Sequence, residues 1–310
     1  MRRALFILYV LFGLGGVQAQ DYERVDAAIK LYPERFAKVD DLAKMIARDF
    51  TDPKEQLRAA YGWIIDHVVY DPDEYKNFNY SFKDYRERNQ KEEKTRAKII
   101  SRTISEGVAV CEGYAMLFEQ LCFLLGIESY LVRGDIKTHF DDIGRSFDTI
   151  HMWNLAIVDG HSYLFDPTWG AGKYQDRFIH EPSYRYFMAE PDWFVNTHYP
   201  DFKEDTLLED PLSRSMFEQM PLIILAGVTW EQVIEPKFGI LDAAVEDGQI
   251  RFELEGVSPK KVSYDFGSNR RKVKIRQEGD LLLFDVPMSL GSKQLVIYFD
   301  GKPALAYKIE

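Results

Sequence analysis

Residues 107–128 read GVAVCEGYAMLFEQLCFLLGIE, and they hold both cysteines of a 310-residue chain. Cys111, Ala115, Phe118, Cys122 and Leu125 are spaced 4, 3, 4 and 3, which makes one face of a buried helix. Gly126 is placed to end it. Eleven helical residues at about 1.5 Å rise set the cysteines about 16 Å apart along the axis. A disulfide needs Cα atoms within about 7 Å, so the two thiols cannot pair with each other and one has another purpose. Cys122 sits mid-helix on the apolar face and reads as core packing. Cys111 follows the extended lead-in GVAV and opens the helix, where backbone N–H groups and the helix dipole favour a thiolate. Gly113 would leave the first turn open to close approach. Glu112 would oppose the thiolate unless its carboxylate points to solvent.

Downstream, HMWNLAIVDGHSYLFDPTW (151–169) has Asp159-Gly160 at its centre, a strong signal for a two-residue hairpin loop. Paired positions then sum to 319, so that Val158 faces His161, Leu155 faces Leu164, Trp153 faces Asp166 and His151 faces Thr168. His151, Trp153 and Asp166 share one face of the sheet, and the same register puts His161 on the other. An imidazole held by a carboxylate beside a thiolate is an arrangement for nucleophilic attack on amide carbonyls. Each residue alone has a plainer reading: Cys111 as core, His151 as a half-exposed strand residue, Asp166 as a turn residue before Pro167.

Taken in order, GVAVCEGYAMLFEQLC (107–122), HMWNL (151–155) and YLFDPTWGAG (163–172) resemble the transglutaminase-like superfamily and its Cys–His–Asp triad. The segment YFMAEPDWFVNTHYPDFKEDTLLEDPLS (186–213) is similar to the one that follows the triad in the kyphoscoliosis-peptidase-like branch. YGWIIDHVVYDPDEY (61–75) looks like the helix that precedes the nucleophile there. The resemblance covers about residues 40–220. It implies an α+β, papain-like core with the nucleophile helix packed on a small antiparallel sheet. It also implies Cys111 as nucleophile, His151 as general base and then acid, and Asp166 as the orienting acid. The reaction would pass through a thioester, resolved by water or an amine, with hydrolysis favoured over cross-linking. Some relatives are thought to have lost catalysis. The alternative is therefore a catalytically silent protein-binding module that uses the C-terminal β-domain and an aromatic groove of Trp153, Trp169, Tyr174 and Trp193.

The chain opens MRRALFILYVLFGLGGVQAQ. A basic start, a short apolar run and small residues before Gln20 are the layout of a secretory signal peptide cleaved after Ala19, and the run is short for a membrane span. The expected location is therefore secreted or periplasmic, with no stable membrane insertion after cleavage. Removing residues 1–19 takes away Arg2 and Arg3 and no acid, which moves the formal charge from −11 to −13. Such an acidic chain without a basic run argues against nucleic acid. Protein or peptide substrates are expected instead, with no cofactor. No His/Cys spacing is that of a metal site, and DPDEY and FDDIG read as surface turns.

Helices are expected through residues 20–70, then a solvated loop and a surface helix over the charged stretch 76–104. At 46% hydrophobic, the chain can build a sizeable core. From residue 221 onward QIRFELEGV, KVSYDF, RKVKIRQ, LLLFDVP, KQLVIYFD and PALAYKIE are short strands between turns, which suggests a β-sandwich. The expected organisation is a signal peptide (1–19), a catalytic domain (20–220) and an all-β domain (221–310) that spaces or positions substrate.

Overall fold

The structure, a computed structural model, describes residues 22–77, 85–244 and 248–310, and the segment read as a signal peptide lies outside the described residues. The described chain begins with α1 (Glu23–Ile29), α2 (Val39–Asp49) and α3 (Pro53–His67). Asp52 caps α3, its side chain accepting from the backbone N–H groups of Lys54 and Glu55, with Pro53 in the first turn. Leu57, Ala60, Tyr61 and Ile64 are buried in α3, and so are Ala59, Trp63 and Ile65. Helix α3 is central to the core, with α1, α2 and the helix that opens at Cys111 around it.

Strand β1 (Val69–Tyr70) pairs in parallel with β2 (Val108–Ala109), and α4 (Tyr85–Glu106) lies between them in sequence. The expectation of a surface helix is corrected over the last turns of α4. There Ile99, Ile100, Thr103 and Ile104 are buried, an i, i+1, i+4, i+5 stripe that packs against the next helix.

That next helix, α5 (Cys111–Leu125), ends at Gly126, whose φ of +73° suits a residue without Cβ. It packs on one face of an antiparallel sheet built from β3 (Glu128–Ile136), β4 (His151–Val158) and β5 (His161–Phe165). The β4–β5 hairpin turns at Asp159 and Gly160, both at positive φ, and its pairs run from Val158↔His161 to Asn154↔Phe165. The expected pairs Trp153–Asp166 and His151–Thr168 do not form. Asp166 instead leaves the ladder to cap α6 (Pro167–Ala171), because Pro167 brings no N–H to a ladder.

Beyond α6 come the hairpin β6 (Gly172–Gln175) and β7 (Arg177–His180), β8 (Phe187–Ala189), α7 (Pro191–Phe194) and β9 (His198–Pro200). Strands β8 and β9 flank the central sheet in the order β8-β5-β4-β3-β9. Its second face is buried too, by a cluster of Val132, Trp153, Leu155, Leu164 and Phe194.

After α8 (Arg214–Gln219) the chain is all strand: β10 (Leu222–Ile223), β11 (Val233–Glu235), β12 (Ile240–Leu241), β13 (Gln249–Glu255), β14 (Val262–Asp265), β15 (Arg271–Val273), β16 (Arg276–Glu278), β17 (Leu281–Pro287), β18 (Gln294–Phe299) and β19 (Lys302–Ile309). One sheet runs β10-β19-β18-β14-β15 with β12 against β19, and the other runs β11-β13-β17-β16. Alternation in both buries one shared core: Ile250, Phe252 and Leu254 from β13, and Leu295, Ile297 and Phe299 from β18. RKVKIRQ, read as one strand, is two, β15 and β16, which belong to different sheets. Buried polar ties join this region to the first. Lys137 Nζ donates to the Met220 carbonyl at 2.8 Å, and Asn196 Nδ2 donates to the Val228 carbonyl at 2.8 Å.

Candidate active site

Cys111 opens α5 behind Val110, an extended N-cap residue whose side chain makes no capping bond. Cys111 forms no disulfide and is buried, at 3% exposure, among Ala115 and Met152. Gly113 has a different purpose from the one expected. A Cβ there would fall 2.6 Å from Ala109 Cβ and 2.7 Å from Thr103 Oγ1, so the glycine admits α4 against the first turn of α5. Glu112 does not point away. Its Oε2 lies 3.2 Å from Cys111 Sγ, placed to accept from the thiol. A thiolate at Cys111 and that carboxylate would repel each other.

His151 starts β4 and donates from Nε2 to Asp166 Oδ2 at 2.7 Å. Cys111 is near enough to the same ring to favour its charged form, and with Nε2 occupied by Asp166 the nitrogen left for the sulfur is Nδ1. Burial works against a charge on His151, but the Asp166 carboxylate and the Cys111 sulfur outweigh it and push its pKa up to about 10. Burial likewise works against the Asp166 anion, and His151 and then His198 overcome it, holding the carboxyl well below the usual range. Cys122, by contrast, has its pKa pushed up to about 12 by burial.

Asp166 is fixed at its side chain, its carbonyl and its backbone N–H. Its Oδ1 accepts from the backbone N–H groups of Thr168 and Trp169 at 2.8 and 3.0 Å. Its carbonyl accepts from the Tyr61 hydroxyl at 3.0 Å, and its N–H donates to the Tyr186 carbonyl. Gly170 allows this seating, since a Cβ there would lie 2.1 Å from the Tyr61 hydroxyl. His161 is exposed and bonds only locally, to the Asp159 carbonyl.

One member was missed. His198, fully buried at the start of β9, puts Nε2 3.1 Å from the same Asp166 Oδ2. His198 was within the segment 186–213 quoted for its resemblance, but no local spacing connects it to a residue 32 positions earlier. The aromatic groove also needs correcting. Trp153 is fully buried under His198 and Phe194, whereas Trp169 and Trp193 are partly covered and Tyr174 is exposed. Among the described residues, His151, Asp166 and His198 are the one group whose ligand atoms, within 4.8 Å of one another, could hold a metal. Both imidazole nitrogens that face Asp166 are engaged by it in hydrogen bonds, so an ion would have to break them to enter.

The model of the Transglutaminase-like superfamily matches residues 40–167, a span that holds Cys111, His151 and Asp166. These residues form a transglutaminase-like domain. The chain is 29% identical to human kyphoscoliosis peptidase over 208 residues, which are 64% of this chain and 28% of that protein. Drosophila hillarin is 27% identical over 129 residues, 36% of this chain and 16% of its own. The chain thus spans under a third of the length of the relatives it matches. A solved structure of a TGase aligns with 51% of this chain and 39% of its own at 16% identity, with a TM-score of 0.30, an overlap too slight to bear on the fold.

Proposed function

We propose that this chain is a thiol-dependent peptidase or acyl transferase that acts on peptide or glutamine-type amides, with hydrolysis favoured over cross-linking. The observation that carries this is the buried His151–Asp166 pair, bonded at 2.7 Å, with Cys111 beside the imidazole in a transglutaminase-like domain. In a site this dry the charges act at close range with little screening. The Cys111 thiolate attacks the carbonyl carbon, and the carbonyl π electrons move to oxygen. Collapse of the adduct breaks the C–N bond while His151 Nδ1–H gives its proton to the departing amine, which leaves a thioester. His151 then takes a proton from water, the hydroxide adds to the thioester, and the acid leaves as Cys111 sulfur departs. An amine in place of water would give transamidation. The backbone N–H of Cys111 is the candidate donor for the oxyanion.

Two further parts of the reading come from the sequence. The opening 19 residues support export to the periplasm or medium, and the strands after residue 220 support a domain that spaces or positions the substrate. The human relative is named a peptidase, which favours hydrolysis.

Thioester capture tests the reaction. The purified chain is incubated with a peptide carboxamide and hydroxylamine, and hydroxamate release is followed alongside iodoacetamide labelling of each cysteine. Hydroxamate that forms in wild type and is absent in Cys111→Ala supports the mechanism. Slow labelling of Cys111 that is indifferent to His151→Ala, together with no hydroxamate, leaves the binding module as the reading.

A further inference from the structure

Asp166 has two oxygens with two acceptor positions each, and the structure fills all four with donors. Backbone N–H groups of Thr168 and Trp169 take Oδ1, and the Nε2 atoms of His151 and His198 take Oδ2. A carboxylate with four incoming donors has no place for a proton of its own, so both imidazoles must carry hydrogen on Nε2. The network then assigns the remaining nitrogens. His151 turns Nδ1 to Cys111. His198 turns Nδ1 to the Thr197 hydroxyl, 2.9 Å away, which can donate to it.

Only one of the two rings can be charged. His198 packs flat on Phe194 at 4.1 Å and edge-on to Trp169 at 4.4 Å and Trp153 at 5.4 Å. The titratable groups that face it are Asp166, His151 at 5.7 Å and Tyr186 at 5.9 Å. One carboxylate cannot balance two buried imidazolium ions, and Cys111 supplies a second anion to His151 alone. Burial accordingly draws the His198 pKa down to about 4, against the pull of Asp166 and the Phe194 carbonyl.

We propose that His198 is a positioning residue of the reaction proposed above. As a neutral Nε2–H donor it locks the Asp166 carboxylate in place and takes a share of Oδ2. His151 thereby keeps its Nε2 proton throughout the cycle and exchanges only the one on Nδ1. This inference rests on the Cys111–His151–Asp166 reading and extends it by one member. Sharing Oδ2 has a consequence of definite sign. A donor to a carboxylate withdraws charge from it, so without His198 the full charge of Asp166 falls on His151, which then holds its Nδ1 proton harder and yields it less readily to the leaving amine.

The test is nitrogen NMR of ring-labelled histidine in the intact protein, run with hydroxamate turnover. The chain has six histidines, so His198→Phe and His151→Ala assign the two resonances directly. In wild type near pH 7, His198 should be neutral with its proton on Nε2. In His198→Phe, which keeps a flat aromatic ring and removes the donor, the alkaline midpoint of His151 should rise by half a unit to one unit, and turnover should fall by about tenfold or more. His198→Gln, whose amide can donate to Oδ2, should restore both. A His198 that is charged, or neutral with its proton on Nδ1, overturns the proposal whatever the turnover of the variants. So does a His151 midpoint that stays put or drops, because a merely structural loosening would free the imidazole from Asp166 and lower it. Failure of the underlying mechanism would look different: wild-type Cys111 would label slowly whatever the state of His198.

Discussion

The two ends of helix α5 hold the same side chain in similar burial, and they are chemically unlike. Cys122 is surrounded by apolar side chains of the main core, and burial alone pushes its thiol up to about 12. Cys111 is hardly more exposed, at 3%, yet it meets the His151 ring, which Asp166 helps to hold charged to about 10. Burial therefore does not by itself make a thiol inert. What differs is whether a buried cation can form beside it, and that depends on a carboxylate one residue further along the line. The N-terminal end of α5 adds the backbone dipole on the favourable side and Glu112 on the unfavourable one.

The largest effects should come from removing the feature that separates the two ends. Cys111→Ala is expected to lower hydroxamate turnover by on the order of 10⁴-fold or more, with an unchanged circular dichroism spectrum. Turnover within tenfold of wild type would remove Cys111 from the mechanism. Next comes the imidazole. At pH 7, iodoacetamide should label Cys111 at least about 100-fold faster than Cys122 in wild type, and His151→Ala should remove most of that margin. Equal rates for the two cysteines in wild type would erase the contrast between the ends of the helix.

The buried charges should also be visible in stability against pH. Folded His151 keeps its proton up to about 10, whereas the unfolded chain releases it near 6.5. Between those values the folded state binds more protons. Its stabilising contribution is therefore complete below about 6.5 and is lost as pH rises to about 10, at no more than about 1.4 kcal/mol per unit. His198 acts in the opposite direction at the acid end. With its folded value near 4, the unfolded chain binds more protons from about 6.5 down to about 4, and stability falls as pH drops through that window. Urea titrations of wild type and His151→Gln should separate the alkaline arm, the variant being the flatter above pH 6.5. Parallel curves would mean that His151 is not held charged.

Local chemistry explains which features could be read from the chain. The Asp159-Gly160 loop sets the register, and the register brings the first residue of β4 to the residue that follows β5, so the approach of His151 to Asp166 follows from two-residue periodicity. Gly126 and the apolar spacing of α5 are equally local. His198 is not, because the sheet order β8-β5-β4-β3-β9 brings it in from the far side of β3. That return path crosses the sheet near Gly134, where a Cβ would meet the Tyr199 carbonyl oxygen at 2.1 Å and Trp153 Cη2 at 2.6 Å. No sequence spacing encodes such an approach. The inner stripe of α4 was obscured by the charged residues before it. The break between β15 and β16 was obscured by unbroken alternation, which fits one strand as well as two that lie in different sheets.

The smallest effect sharpens the comparison most. If Cys122 only fills space, Cys122→Ala should cost about 1 to 2 kcal/mol through the lost sulfur and the cavity left in a close-packed core. Its surroundings support that range: Phe118, Leu121 and Ile127 are buried around it, and the Cys122 carbonyl accepts the N–H of Ile127 at 2.9 Å, so the backbone of the helix end is held independently of the side chain. The loss should appear as a shifted urea midpoint, with the pH profile of Cys111 labelling and the turnover both unchanged. A change in the Cys111 profile would show that the two ends of α5 are coupled through the helix, and the contrast between them could then no longer be assigned to His151 and Asp166 alone.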